Sequence, residues 1–274
     1  MLIAVDTGGT KTLVASFSQD GSVQSSVKFP TPQDQAAYLS QLTKAIHEIA
    51  EQQMIDAIVV ALPGIVKNGI AVWCNHLLWK DFDVRTPLAA GFPDTPILVE
   101  NDANLGGLAE TRRLTNIPRS VLYVTISTGI GTGVITNGQI DPGLRLSEGG
   151  RSLVEFDGQV REWESFAAGS AIYSTFGAYA RDITDPTIWQ QIADRISRGF
   201  LAIIPFLQPD LVIIGGSVGS YFDKYKQHLE DILIEALPPH IPCPTIIAAV
   251  HPEEAVIYGC YYYAVDTLLA PDAA

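Results

Sequence analysis

Two stretches of this 274-residue chain combine glycine with hydroxyl side chains, Asp6-Thr-Gly-Gly-Thr-Lys-Thr12 and Ser127-Thr-Gly-Ile-Gly-Thr-Gly133. In the first, Gly8 and Gly9 permit a tight strand-to-strand turn whose N–H groups can face an anion, and Thr10, Lys11 and Thr12 add donors. Asp6 can hold Mg²⁺ through water. In the second, Thr128, Gly129, Gly131 and Thr132 repeat the composition, so two facing loops can pinch the phosphates of a nucleotide. Either stretch also reads as a plain hairpin turn. The Walker A spacing is missing from the first, and after the second Val134 to Gly138 reads as a strand, which fits a dinucleotide site poorly.

Between the loops, Glu100-Asn-Asp-Ala-Asn104 sets Asp102 at the end of a buried strand and the start of a helical pattern. A carboxylate there can serve as a base, while Asn101 or Asp102 can equally be a helix cap. Phosphoryl transfer to an alcohol requires a base, a metal and N–H donors on the phosphates, and the three segments together supply them. Gly215-Gly216-Ser217 allows a flat ligand such as adenine to lie on the backbone, or makes an ordinary strand-to-helix turn. Glu148, Arg151 and Glu164 suit a ligand with several hydroxyls, or pair as surface salt bridges.

The elements that must position these residues follow from periodicity. Short β-prone runs at Leu2 to Val5, Leu13 to Phe17 and Ser22 to Phe29 form a meander, and apolar spacing over Ala36 to Gln53 predicts a crossover helix. The continuous apolar runs Ala57 to Ala61 and Ile97 to Val99 read as buried parallel strands. The order then repeats, with strands at Val121 to Ser127, Gly133 to Thr136 and after Asn137-Gly138, helices at Phe166 to Tyr179 and Thr187 to Phe206, and a strand at Leu211 to Ile214. A helix over Tyr221 to Leu237, a strand at Thr245 to Val250 and a helix over Ala255 to Leu269 follow. Two β-β-β-α-β-α-β-α blocks predict an α/β fold of duplicated lobes. The first spans 1–114 with a returning C-terminal helix at about 252–274, and the second spans 115–251.

Net charge is −13, the wrong sign for a protein that tracks a phosphate backbone, so nucleic acid is not an expected partner. No apolar run reaches the length of a membrane span, and Met1 leads straight into a strand pattern, as in a cytoplasmic protein. Cys74, Cys243 and Cys260 lie far apart, which disfavours a disulfide framework or a cysteine-rich zinc site. The five histidines, His47, His76, His228, His240 and His251, have no ligand-like spacing. Tyr258 to Tyr263 reads as core or dimer contact.

Taken together, these residues resemble the ROK family (repressors, open reading frames and kinases) within the actin-like ATPase and hexokinase superfamily. The match covers nearly the whole chain and includes the two loops, Pro63-Gly64, the stretch from Asn75 to Trp79, Glu100 to Asn104, Ser147 to Arg151, Glu164, Ile214-Gly215-Gly216 and the final glycine-containing helix. The resemblance implies actin-like, ribonuclease H-like lobes with a cleft between them, closing on sugar, commonly in a homodimer. It implies an ATP-dependent sugar kinase in which Asp102 is the general base, Asp6 organises Mg²⁺, and Gly64, Asn101, Glu148, Arg151 and Glu164 bind sugar. Gly8, Gly9, Thr10, Lys11, Thr12 and Thr128 to Thr132 would hold the phosphates of ATP, with Gly215 and Gly216 near adenosine. Glucose and its 6-hydroxyl are the default acceptor. N-acetylmannosamine, N-acetylglucosamine or fructose, or a non-catalytic sugar sensor, are the alternatives. Zinc-containing relatives carry a histidine where this chain has Arg151, followed by a cysteine-rich loop missing here, so no structural zinc is expected. The absence of an amino-terminal DNA-binding extension points to kinase over repressor.

Overall fold

The computed structural model of the protein describes residues 1–74, 77–251 and 254–268; Asn75 and His76 lie outside them. The chain divides into two compact units, Met1–Ala109 with Glu254–Ala274, and Glu110–Glu253.

In the first unit, β1 (Leu2–Thr7), β2 (Lys11–Phe17) and β3 (Val23–Pro30) form the expected meander, and α1 (Gln35–Ala50) follows. The Asp34 side chain caps α1 by accepting the Ala37 N–H at 2.8 Å. Helix α1 stops three residues short of the predicted Gln53, because Glu51 turns into the left-handed region at φ 45°. Strand β4 (Ala57–Leu62) lies between its parallel partners β1 and β8 and is buried along its whole length, as in parallel strands covered on both faces. A small sheet not anticipated from the sequence comes next, built from β5 (Ile65–Lys67), β6 (Ile70–Cys74) and β7 (Trp79–Asp83). Helix α2 (Arg85–Gly91), strand β8 (Ile97–Asn101) and helix α3 (Asp102–Arg112) complete this part of the chain. The main sheet has the order β3-β2-β1-β4-β8, with β1, β4 and β8 parallel.

The second unit repeats that plan. Strands β9 (Ser120–Ile126), β10 (Ile130–Thr136) and β11 (Gln139–Ile140) form a meander, and a hairpin of β12 (Leu153–Phe156) and β13 (Gln159–Glu162) is inserted after it. Then come α4 (Glu164–Ala167), α5 (Gly169–Phe176), α6 (Pro186–Leu207), β14 (Leu211–Gly215), α7 (Gly216–Gly219), α8 (Lys226–Ala236) and β15 (Thr245–Ala248). The sheet order is β11-β10-β9-β14-β15, with β9, β14 and β15 parallel. The helix predicted over Phe166 to Tyr179 is broken at Ala168, where the Gly169 N–H leaves the helical ladder for the Ser127 carbonyl at 2.6 Å. Strand β10 begins three residues before the predicted Gly133, since Gly131 and Gly133 pair with Thr125 and Tyr123 and their backbone groups complete the ladder.

Helix α6 buries Trp189, Ile192, Ala193, Ile196, Phe200 and Ile204, the three- and four-residue spacing of one apolar face. It starts with Asp185 as its cap and Pro186 in its first turn. Helix α9 (Ala255–Leu268) belongs to the first unit, where Gly259 lies so close to the Leu105 carbonyl of α3 that a Cβ would collide with it. Its rings Tyr258 and Tyr261 pack on Phe17, 5.5 and 5.4 Å between centroids, so Tyr258 and Tyr261 of the aromatic string serve this unit's core. Among the described residues no helix is long and apolar enough to cross a membrane.

Candidate active site

In the first unit the glycine turn shrinks to Gly8–Thr10, because Lys11 and Thr12 already belong to β2. The turn closes through a Gly8 N–H to Lys11 carbonyl bond of 3.0 Å. The Gly9 and Thr10 N–H groups make no bond within the described residues, so these two consecutive donors and the Thr10 hydroxyl remain for an anion. Lys11 is exposed at the start of β2. The Thr12 hydroxyl is fully buried and bonded to that of Thr31 at 2.9 Å, so it works inside the sheet.

Asp6 lies in β1 beside that turn, opposite Leu13. Burial pushes its carboxyl up to about 6, with the Lys28 charge working the other way. Asp102 opens α3, and its carboxyl is pushed up to about 7, first by burial and then by the negative charge of Asp6. Its Oδ1 accepts the Ala103 N–H at 2.8 Å, and its other oxygen has no partner among the described residues. The cap of α3 is Asn101, whose Oδ1 accepts the Asn104 N–H at 3.0 Å. Asn101 also donates from Nδ2 to the Gly64 carbonyl at 2.8 Å, which leaves one amide N–H for a ligand. Gly64 has φ 83° and its missing Cβ would strike the Trp73 carbonyl, so only glycine presents its carbonyl to Asn101. Beneath this pair, buried Glu100 accepts the Asn101 N–H at 2.8 Å and the Asn104 side-chain amide at 3.0 Å.

In the second unit the turn between β9 and β10 is Ser127–Gly129. The Ser127 N–H bonds the Gly129 carbonyl at 2.9 Å, while the Thr128 and Gly129 N–H groups have no partner among the described residues. Both units thus offer two consecutive N–H groups without a partner among the described residues, and a threonine hydroxyl beside them. Gly131 is absorbed into the β10 ladder, and Thr132 Oγ1 accepts the Gly149 N–H at 2.9 Å. That bond hangs the 3-10 turn Gly149–Arg151, and with it Glu148, on β10. Glu164 accepts the Ile130 N–H at 3.1 Å through one oxygen and meets Arg151 at 3.2 Å through the other. Arg151 also donates to Glu162 at 2.6 Å. Burial would lower the Arg151 pKa, but the Glu162 bond and the charges of Glu164, Glu162 and Glu148 hold it above its ordinary value.

A cavity of about 650 Å³ opens in the same unit, lined among others by Thr128, Ser170, Tyr173, Tyr179, Arg181 and Ser217. Tyr173 and Tyr179 stack 4.5 Å apart, and the Arg181 guanidinium lies 4.9 Å from the Tyr179 ring centre. Gly215 and Gly216 stand behind this cavity: a Cβ on Gly215 would meet the Tyr123 ring, and one on Gly216, at φ 81°, the Ile126 carbonyl. Their absent side chains let the β14–α7 corner approach β9, and Ser217 and Val218 do the lining. Sequence reasoning missed Tyr173, Tyr179 and Arg181, since two tyrosines and an arginine outside any motif carry no signal of their own.

Two α/β units of one strand order, each offering a glycine turn with free N–H donors, define a protein of the actin-like ATPase fold. A glucokinase of the ROK family from Streptomyces griseus, solved in complex with glucose and AMPPNP, has that fold: it superimposes with a TM-score of 0.81 at 20% identity, covering 96% of this chain and 98% of its own. This chain belongs to the ROK family, whose model matches residues 2–267. It is 25% identical over 295 residues to the N-acetylmannosamine kinase of Pasteurella multocida (strain Pm70), spanning 97% of each protein. It is 30% identical over 176 residues to the polyphosphate glucokinase of Mycobacterium tuberculosis, spanning 63% of this chain and 60% of that one.

Proposed function

We propose that this ROK sugar kinase transfers the γ-phosphoryl of ATP to a hexose hydroxyl, with glucose and its 6-hydroxyl as the default acceptor. The observation that carries the reading is Asp102: a carboxylate with an uncommitted oxygen at the start of α3, its pKa raised to about 7. Asp102 takes the hydroxyl proton as the sugar oxygen attacks phosphorus, the bond to the bridging oxygen breaks, and ADP leaves with that electron pair. In the first unit the N–H donors of Gly9 and Thr10 suit phosphate oxygens, in the second those of Thr128 and Gly129 do, and the tyrosine-lined cavity of the second unit takes adenosine. Asp6 offers a hard oxygen donor of the kind that Mg²⁺ favours, through water, and Mg²⁺ when bound would neutralise charge on the phosphates.

For the donor, the cavity favours a nucleotide over polyphosphate. Stacked rings suit a base, whereas Arg181 is the single cation among the residues lining it. For the sugar, Asn101 offers its remaining amide N–H, and Glu148 and Glu164 offer carboxylate oxygens to hydroxyls. An N-acetylhexosamine is the second reading, supported by Arg151, whose guanidinium has N–H donors beyond those given to Glu162 and Glu164 and suits a carbonyl acceptor.

A coupled assay over glucose, mannose, fructose, N-acetylmannosamine and N-acetylglucosamine, with ATP or polyphosphate as donor, tests the whole reading. One sugar should drive ADP release, and Asp102→Asn should lower kcat by at least about a thousandfold while leaving sugar binding intact. Wild-type protein that binds a sugar without turning over ATP would make this a sensor, and full activity in Asp102→Asn would remove the base.

A further inference from the structure

Thr31, outside the Gly8–Thr10 turn, bonds to it at two points. Its N–H donates to the Thr10 carbonyl at 3.0 Å, and its hydroxyl donates to the Gly8 carbonyl at 2.8 Å. A threonine has one hydroxyl proton, and Thr31 spends it on Gly8, so the 2.9 Å contact with Thr12 has the Thr12 hydroxyl as donor. One residue outside the turn therefore holds the carbonyls of Gly8 and Thr10 and the side chain of Thr12.

The backbone of Thr31 is itself restrained. Pro30, the last residue of β3, pairs with Lys11, and Pro32 follows, so φ is fixed on both sides and Thr31 is confined to extended conformations. A turn containing Gly8 and Gly9 would otherwise sample many conformations, since glycine loses the most freedom on ordering. Pinning the carbonyls of Gly8 and Thr10 fixes the Gly8–Gly9 and Thr10–Lys11 peptide planes, and with them the N–H groups of Gly9 and Lys11, so the Gly9–Thr10 plane that carries the Thr10 N–H is held between two fixed planes.

We propose that Thr31 is the positioning residue of the first phosphate turn: it presets the Gly8–Thr10 backbone so that the Gly9 and Thr10 N–H groups receive the donor phosphates without reorganisation. Thr31 does not touch the donor; it acts through the turn. The inference rests on the reading of that turn as a phosphate site.

The test compares Thr31→Val, Thr31→Ser and Thr12→Val with wild type, measuring ADP and AMPPNP binding by calorimetry, steady-state kinetics in ATP and in sugar, and melting temperature. Thr31→Val keeps the shape and the N–H and loses both hydroxyl bonds. It should weaken nucleotide binding and raise KM for ATP about tenfold, with sugar KM within twofold of wild type. Thr31→Ser keeps the hydroxyl and should restore nucleotide affinity, and Thr12→Val, which spares the bond to Gly8, should cost less than threefold. Equal nucleotide affinity in Thr31→Val and wild type would overturn the inference alone. So would a loss shared equally by nucleotide, sugar and melting temperature and not rescued by serine, which is the mark of plain destabilisation. Wild-type protein that binds no nucleotide would overturn the phosphate reading itself, and the inference with it.

Discussion

Asp102→Asn should make the protein more stable as it makes it inactive, and the gain should depend on pH in a direction fixed by the structure. Asn keeps the oxygen that accepts the Ala103 N–H at 2.8 Å and removes the charge that burial and Asp6 oppose. The carboxyl rises from 3.8 to about 7, and at about 1.4 kcal/mol per pH unit this is roughly 4 kcal/mol of strain on the charged form. Solvent reaching the half-buried side chain reduces the expected gain to about 2 kcal/mol. Because the folded pKa is raised above the unfolded value, the native state binds the proton more tightly, and wild-type stability falls as pH climbs from about 4 to about 7. The variant has no such proton. Its advantage should be near zero at pH 4, grow through pH 5 to 7 and level off above pH 7. Urea denaturation of metal-free protein at pH 4.5 and pH 8 reads the effect of Asp102 together with its coupling to Asp6, since the difference between the two proteins cancels the titrating groups that do not interact with Asp102. An advantage of the same size at both pH values, or a variant weaker than wild type at pH 8, would refute the electrostatic account.

The other consequences are smaller in scope. Tyr179→Ala removes the ring held between Tyr173 and Arg181 and should raise KM for ATP about tenfold, as loss of one base-stacking platform does, with sugar KM unchanged in the same assay. Arg151→Gln leaves Glu162 and Glu164 without their cation. These groups are partly exposed, so thermal denaturation should show a loss of about 1 kcal/mol or less, while the ratio of kcat/KM between glucose and an N-acetylhexosamine should move by about tenfold. Gly150→Ala places a Cβ against the Ile130 carbonyl and should cost about 1 to 3 kcal/mol in urea denaturation, lifting the Glu148 turn from β10 and raising sugar KM.

The sheets were legible because their signals are local and redundant. The wholly buried β4 and β14 are continuous apolar runs, and a repeated order of strands and helices exposes the duplication. Strands β5 to β7 were missed because they are only three to five residues long and alternate buried with exposed positions too briefly to set a period. At the site, residue type located the turns, but not which donors remain free. Thr12 and Thr132 have the composition of phosphate ligands, and their hydroxyls are instead taken up by Thr31 and the Gly149 N–H. Their environment depends on partners 19 and 17 residues away, which no motif encodes. The reverse holds for Asn101 and Asp102, where the alternative of capping divides between neighbours: Asn101 caps the helix and Asp102 keeps an oxygen free.

The return of α9 to the first unit bears on the order in which the protein can be completed during synthesis. Cys260 and Gly259 of that helix pack into a core whose other members lie before residue 110, while the second unit is one uninterrupted segment. A ribosome moving along the message releases everything the second unit needs while the first unit still lacks its last helix. The internal unit therefore has all of its elements first, and in the amino-terminal unit, although made earlier, the face of β1 and β4 that α9 packs against stays without that helix until α9 emerges.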